Sequence, residues 1–194
     1  MMPINASTSL LTPPTLAVLT LAEAKLHLRV ENSAEDTLIT ALVAAATQDA
    51  EHLMQRAILP QQWRHTMDAW PQLEVRLPRP LITAVDSISY TDSAGAVQAL
   101  APASCILAAT DLGARLQPAY GTWWPSARYQ PGAIVITYTA GWPTAEAVPE
   151  LVRAWIKLRL GALYDNRNAW TQGVAIERNG HIDFLLDRWR VFAL

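Results

Sequence analysis

The chain has 194 residues and a net charge of −2, so it is long enough to bury a substantial core, and it has neither a global attraction for nucleic acid nor a basic run to serve as a DNA-binding arm. Its single cysteine, Cys105, excludes an internal disulfide and every cysteine-rich zinc site, in keeping with a reducing cytoplasm. No run approaches the roughly 18 apolar residues of a membrane span, and the first twenty residues hold Pro13-Pro14 but no Lys or Arg, so a soluble protein without a secretory leader is expected.

Charged residues make up 16% of the chain against about 25% in ordinary globular domains, while 51% is apolar and eight residues are tryptophan. That balance predicts subunit interfaces; an unusually apolar core is the other reading. Lys25 and Lys157 are the only lysines, so arginine supplies most of the positive charge. Arginine suits partly buried, bidentate contacts with carboxylates and carbonyls. Acids outnumber bases in residues 1–60 and bases outnumber acids in residues 150–194, a distribution that favours association between complementary ends.

The Ser-, Thr- and Pro-rich segment up to Thr15 is expected to be extended or mobile. Thr20-Leu21-Ala22-Glu23 has the Thr-x-x-Glu form of a capping box, in which each side chain satisfies a free backbone N–H, and predicts a short helix over about 21–28. The long helix that follows organises the chain: Leu38, Ile39, Leu42, Val43, Ala46, Leu53 and Met54 form one apolar stripe. Ser33 is placed to cap it, Asp36 sits where the helix dipole favours an acid, and Pro60 is expected to stop it. Glu35, Gln48, Asp49, Glu51 and Gln55 lie on the opposite face.

Beyond Pro60 the period changes to two. Trp63, His65 and Met67 alternate with polar residues, as do Leu73, Val75 and Leu77, which predicts two half-buried strands. A strand over 84–91 should place Ala84, Asp86, Ile88 and Tyr90 on one face, before a turn at Asp92-Ser93-Ala94-Gly95. Weaker strands are read near 97–100, 104–108 and 114–117. The clearest runs over 133–139, with Ile134, Ile136 and Tyr138 on one side, closed by Gly141-Trp142-Pro143. Helix resumes at Pro149, with Val152, Trp155, Ile156, Leu160 and Leu163 on the apolar face and Glu150, Arg153, Lys157, Gly161 and Tyr164 on the other. Asp165-Asn166-Arg167-Asn168 should end it. After Trp170 come a turn at Asn179-Gly180 and an apolar, helix-spaced segment over 183–192.

The fold class expected is therefore α+β: a helical bundle of two N-terminal helices and a later one, an inserted antiparallel β-sheet or small sandwich, and a C-terminal arm. As one domain over 1–194, its helical parts would be 20–60 and 146–168, its β-rich insertion 61–145 and its arm 169–194.

The series Leu21-Ala22-Glu23-Ala24-Lys25-Leu26-His27-Leu28-Arg29-Val30, the helix ending Gln55-Arg56-Ala57-Ile58, Pro80-Leu81 before Ser87-Ile88-Ser89-Tyr90, Ile134 to Gly141, and Val148-Pro149-Glu150 leading to Leu163-Tyr164-Asp165-Asn166-Arg167 resembles the gp6-like head-tail connector proteins of tailed bacteriophages. The resemblance is to the longer type, with a β-rich segment between the helices, and covers about residues 20–168. Tyr164 and Arg167 stand where that family commonly shows Tyr-x-x-Arg.

The resemblance implies a structural adaptor, not an enzyme, and no cofactor. It would form a ring, about twelve-fold, beneath the portal protein, extending the DNA exit channel and offering a docking surface to a downstream neck, stopper or tail protein. It would reside in the virion neck and, during assembly, in the host cytoplasm. DNA would pass without specific binding, and no membrane is involved. Another neck component, such as a stopper or tail-completion protein, is the alternative, followed by a small enzyme or ligand-binding domain.

Phe184, Arg188, Trp189, Arg190 and Phe192 are the candidates for portal docking. Trp123, Trp124, Arg153, Lys157 and Arg167 are the candidates for subunit contacts, with loop anchoring, a solvated helix face and helix-end hydrogen bonds as their plainer roles. Asp49 and Glu51 are the candidate channel-facing acids, which would repel phosphate and let DNA slide. Trp142 and Trp155 read as core. His27, His52, His65 and His181 are scattered without metal-ligand spacing, no phosphate loop or nucleophile elbow is present, and Cys105 reads as a small buried residue.

Overall fold

The Thr20–Glu23 box starts helix α1 (Leu21–Leu28): the Glu23 N–H donates to Thr20 Oγ1 and the Thr20 N–H donates to Glu23 Oε2 at 2.8 Å. Arg29 ends it with φ 58, a left-handed cap. Helix α2 (Asp36–Met54) departs from expectation at both ends. Ser33 does not cap it. The cap is Glu35, without a side-chain bond, because the preceding residues fold into their own turn, with the Ala34 N–H on Asn32 Oδ1 and the Asp36 N–H on the Ser33 carbonyl. Asp36 does occupy the first turn, where Lys25 Nζ meets it at 2.7 Å.

Nor does α2 run to Pro60. Gln55 turns left-handed at φ 54, and Arg56, Ala57, Ile58 and Leu59 leave the helix to become fully buried. The Ile58 N–H returns to the Glu51 carboxylate at 2.8 Å, holding this buried exit across the last turn. Helix α3 (Glu150–Asp165) takes Pro149 as its cap rather than its first residue. It packs Val152, Trp155, Ile156 and Leu160 into one core with Ile39, Val43, Ala46, Ala50 and Met54 of α2 and Ala24 of α1. Leu38, expected on the α2 stripe, lies exposed at its margin.

The computed structural model describes residues 5–110, 113–166 and 180–191. These helices form one compact unit, Leu16–Leu59 with Trp142–Leu194; Met1–Thr15 with Pro60–Gly141 form the other. Among the described residues no helix is long and apolar enough to cross a membrane.

The second unit is antiparallel throughout. Strands β1 (Ala6–Thr12), β2 (Gln61–Met67), β4 (Ile82–Thr91), β5 (Val97–Leu100) and β8 (Ile134–Ala140) form a sheet of order β1-β2-β8-β4-β5. Strands β3 (Val75–Leu77), β6 (Cys105–Thr110) and β7 (Gly113–Pro118) form a second, of order β3-β7-β6. Alternation survives cleanly in β2, where Trp63, His65 and Met67 are buried, and in β8, where Ile134, Ile136 and Tyr138 are buried. The Tyr138 hydroxyl donates to the Pro78 carbonyl at 2.8 Å, linking the central strand of one sheet to the end of a strand in the other.

The face expected for β4 does not hold. Register shifts at Ile82/Ala84 and Val85/Ser87 break the two-residue period, so Ile82, Ile88 and Thr91 are the buried positions and Ala84 and Asp86 are exposed. Leu73 lies outside β3 and is largely exposed. The N-terminal segment is extended as expected, yet it is an ordered strand: β1 pairs along β2 from Ala6↔Met67 to Thr12↔Gln62. The α+β class thus holds, with a 3₁₀ segment, Gly180–Trp189, in place of a regular C-terminal helix.

His65 is buried, and its Nδ1 lies 2.8 Å from Thr8 Oγ1 across the β1–β2 pair. Burial pushes its pKa below the ordinary 6.5, so the unfolded chain binds the proton first. This contribution is complete above pH 6.5 and declines as pH falls through 6.5 toward the depressed folded value. Urea unfolding at about pH 7.5 and about pH 5.5 should show a smaller loss of stability for His65→Gln than for the wild type.

Candidate functional site

The residues singled out from the sequence fall on three surfaces, and the structure separates those held internally from those presented outward. Arg153 belongs to the first kind. It sits on the face of α3 opposite the apolar stripe in a helical wheel, yet it is buried. Its Nη1 donates to the Val18 carbonyl at 2.8 Å and the Ala145 carbonyl at 3.0 Å, its Nη2 donates to Glu23 Oε1 at 2.5 Å, and its Nε lies 3.7 Å from Glu150. The fork geometry of arginine lets one cation satisfy two loop carbonyls and a carboxylate at once. Glu23 therefore caps α1 with one oxygen and binds α3 with the other. The Thr20 backbone N–H, the Thr20 hydroxyl and then Arg153 hold its carboxyl below the usual 4.5 against the opposing effect of burial. Lys157 is half-buried on the same helix, close enough to Glu23 to favour its charge as well.

The α2 acids are likewise engaged. Asp49 Oδ2 accepts from Arg159 Nε at 2.8 Å and Nη2 at 2.7 Å, and Glu51 receives the Ile58 N–H. Glu35, at the start of α2, accepts a hydrogen bond from the Tyr164 hydroxyl. A cavity of about 150 Å³ opens between Asp49, His52, Leu53, Trp155, Arg159, Ile182 and Asp183. Its carboxylates are already bonded, Asp49 to Arg159 and Asp183 to the Trp155 indole N–H at 3.1 Å. Among the described residues no three His, Cys, Asp or Glu side chains gather as a metal site. Burial pushes the Cys105 thiol up, away from the reactive thiolate.

The C-terminal segment is part of the helical core where it is described. Leu186 is fully buried, and Ile182, Leu185 and Trp189 pack against the α2–α3 cluster. Arg56, itself buried just beyond α2, donates from Nε to the Trp189 carbonyl at 3.0 Å and lies 5.7 Å from the Trp142 ring centroid. The Val191 N–H reaches the Met54 carbonyl at 3.0 Å. Of the docking candidates, Arg190 pairs with Asp187 at 3.1 Å and Trp189 is half-buried beneath Arg188. Phe184, 65% exposed, and Arg188 remain on the surface. Phe192 and Arg167 lie outside the described residues.

The third surface is the loop after β7. Trp124 stacks on Trp70 with centroids 4.3 Å apart and planes 3° from parallel, and Trp70 in turn meets Tyr90 at 6.3 Å. The Arg128 N–H bonds the Thr91 carbonyl at 2.9 Å, fixing the far side of the loop. Trp123 then projects outward, 84% exposed, as do Tyr120 and Tyr129. The adjacent tryptophans thus have opposite roles, one an anchor and the other presented. Sequence reading could not divide them, since the partner of Trp124 is fifty-four positions away. It also missed Arg56, whose position outside any regular element removes the periodic signal that marks burial.

Residues 18–94 match the family described as phage gp6-like head-tail connector proteins. No curated protein matches the chain. Among solved structures, the chain is similar to a chain in the virion of the native gene transfer agent (GTA) particle, with TM-score 0.78, 21% identity and 96% of each chain covered. It is also similar to a chain in the neck of the empty GTA particle computed with C6 symmetry, with TM-score 0.75, 22% identity, and 100% of this chain and 97% of that one covered. A third likeness is to the neck of the native GTA particle computed with C12 symmetry, with TM-score 0.68, 23% identity and the same coverage. At these identities the likeness is one of fold, and it spans both units of the chain.

Arg153→Met should lower unfolding stability by about 2–3 kcal/mol in urea titrations, because two carbonyls and Glu23 lose their donor. Trp124→Ala should cost about 2 kcal/mol through lost stacking and burial, whereas Trp123→Ala should stay within about 0.5 kcal/mol of wild type by the same measurement.

Proposed function

We propose that this chain, a phage gp6-like head-tail connector over residues 18–94, works as the adaptor in the neck of a tailed phage-like particle. It forms a closed ring on the portal, lengthens the DNA exit channel, and offers its distal side to the next neck or tail protein. The carrying observation is the family match together with a fold likeness that covers nearly the whole of this chain and of the neck chains it resembles. Heterologous contacts repeated around an axis close into a ring, and a portal with about twelve subunits would set the copy number near twelve.

The chemistry agrees with a passive conduit. The charges of α2 are compensated inside the subunit, Asp49 by Arg159, so a channel wall built from that face would hold phosphate weakly and let DNA slide. Portal docking falls to the exposed part of the C-terminal segment, Phe184 and Arg188, an aromatic and a guanidinium of the type that dominates interface energies. Deleting the whole segment would be a poor test, since Leu186 and Trp189 belong to the helical core.

Purified portal rings mixed with this protein should gain the mass of about twelve 21.3 kDa chains in native mass spectrometry, and a collar in negative-stain images. Phe184→Ala with Arg188→Glu should weaken that binding at least about tenfold while leaving the unfolding midpoint unchanged. Failure of the wild-type protein to bind portal until another neck protein is added would assign it to the stopper position instead.

A further inference from the structure

The five-stranded sheet ends in two strands that lack the charges and prolines by which a solitary protein protects its edges. Strand β1 reads Ala-Ser-Thr-Ser-Leu-Leu-Thr and β5 reads Val-Gln-Ala-Leu, with no charged residue or proline in either. Six of the seven β1 residues are exposed and Thr8 is half-buried, so the strand is held by its ladder to β2 and by a few polar bonds such as Thr8 to His65 and Thr12 to Gln62. The register shift in β1 comes only between Leu10 and Thr12, leaving Ala6 to Leu10 regular. At the other edge Val97, Gln98 and Ala99 are exposed, Val97 by 76%.

We propose that β1 of one copy pairs edge to edge with β5 of the next, so that the ring is sewn together by a sheet continuing from subunit to subunit. The inference rests on the ring reading above and names the surface that closes it. A second copy is the fitting occupant because the two open edges are the opposite ends of one sheet. Head-to-tail pairing leaves both edges of this sheet satisfied once the ring closes, and each copy uses both surfaces once. Pairing β1 with β1 would satisfy only one edge and would stop at dimers. Neither edge carries charge to repel its neighbour, and Leu10, Leu11 and Val97 bring apolar area that the single subunit leaves in water.

The test uses the full chain in a Cys105→Ser background, with Ser9→Cys on β1 and Ala99→Cys on β5, both at exposed positions. Assembled on portal rings and treated with a short bis-maleimide, the double variant should give a denaturing-gel ladder running past the dimer to ring-sized species. Each single variant should give monomers. Cross-linked dimers from Ser9→Cys alone would overturn the proposal in favour of β1–β1 pairing. Absence of a ladder while the protein still rings on the portal would overturn it and leave the adaptor reading standing, whereas absence of any ring would remove both.

Discussion

Arg153 is the cation on which the helical unit turns. A buried guanidinium is unfavourable unless nearly every donor finds an acceptor, and here the acceptors come from three separate parts of the chain: the Val18 carbonyl before α1, the Ala145 carbonyl before α3, and the Glu23 carboxylate inside α1. The same Glu23 completes the cap of α1, so the start of the first helix and the placement of the third are one arrangement. Once α3 is held this way its apolar stripe faces α2, and the core of Ile39, Val43, Ala46, Trp155 and Ile156 follows. Arg56 plays a corresponding part just beyond the C-terminal end of α2, where its bond to the Trp189 carbonyl draws the C-terminal segment onto the helices.

The β unit solves a different problem. Its core is conventional, Ile134, Ile136, Tyr138, Val75 and Leu116 among the buried positions, but its margins are dressed for contact. Ordered backbone anchored by Trp70, Trp124 and Arg128 carries Trp123, Tyr120 and Tyr129 into solvent. A rigid loop presenting aromatics limits the conformational entropy lost when a partner covers it. Three of the exposed aromatics therefore sit on backbone that is already held, a disposition that suits a contact surface.

This division bears on how the low charge content is used. Several of the acids that might have formed an electrostatic surface are paired within the subunit: Asp36 with Lys25, Asp49 with Arg159, Glu23 with Arg153, Asp187 with Arg190. Pairing of this kind leaves the subunit's surface with few uncompensated charges among these residues, so contacts made there would lean on apolar and backbone complementarity, which tolerates salt. The cavity carboxylates are bonded, and the thiol's pKa is raised.

Composition, periodicity and capping motifs determined the class, the element order and most element positions, because those signals are local: the Thr20–Glu23 box, the three-and-four spacing of α2 and the alternation of β8 act within a turn or a strand. They also determined the family resemblance, which is carried by a series of such elements. Tertiary structure decided what locality cannot express. It ended α2 at Met54 because Arg56–Leu59 are drawn into the core, shifted the inward face of β4 by its register irregularities, and recruited the Ser- and Thr-rich N terminus as a strand because β2 offers it an edge. It split Trp123 from Trp124 and turned Arg153 from a surface residue into the central donor, since burial of a side chain depends on partners distant in sequence that only the folded chain brings within reach.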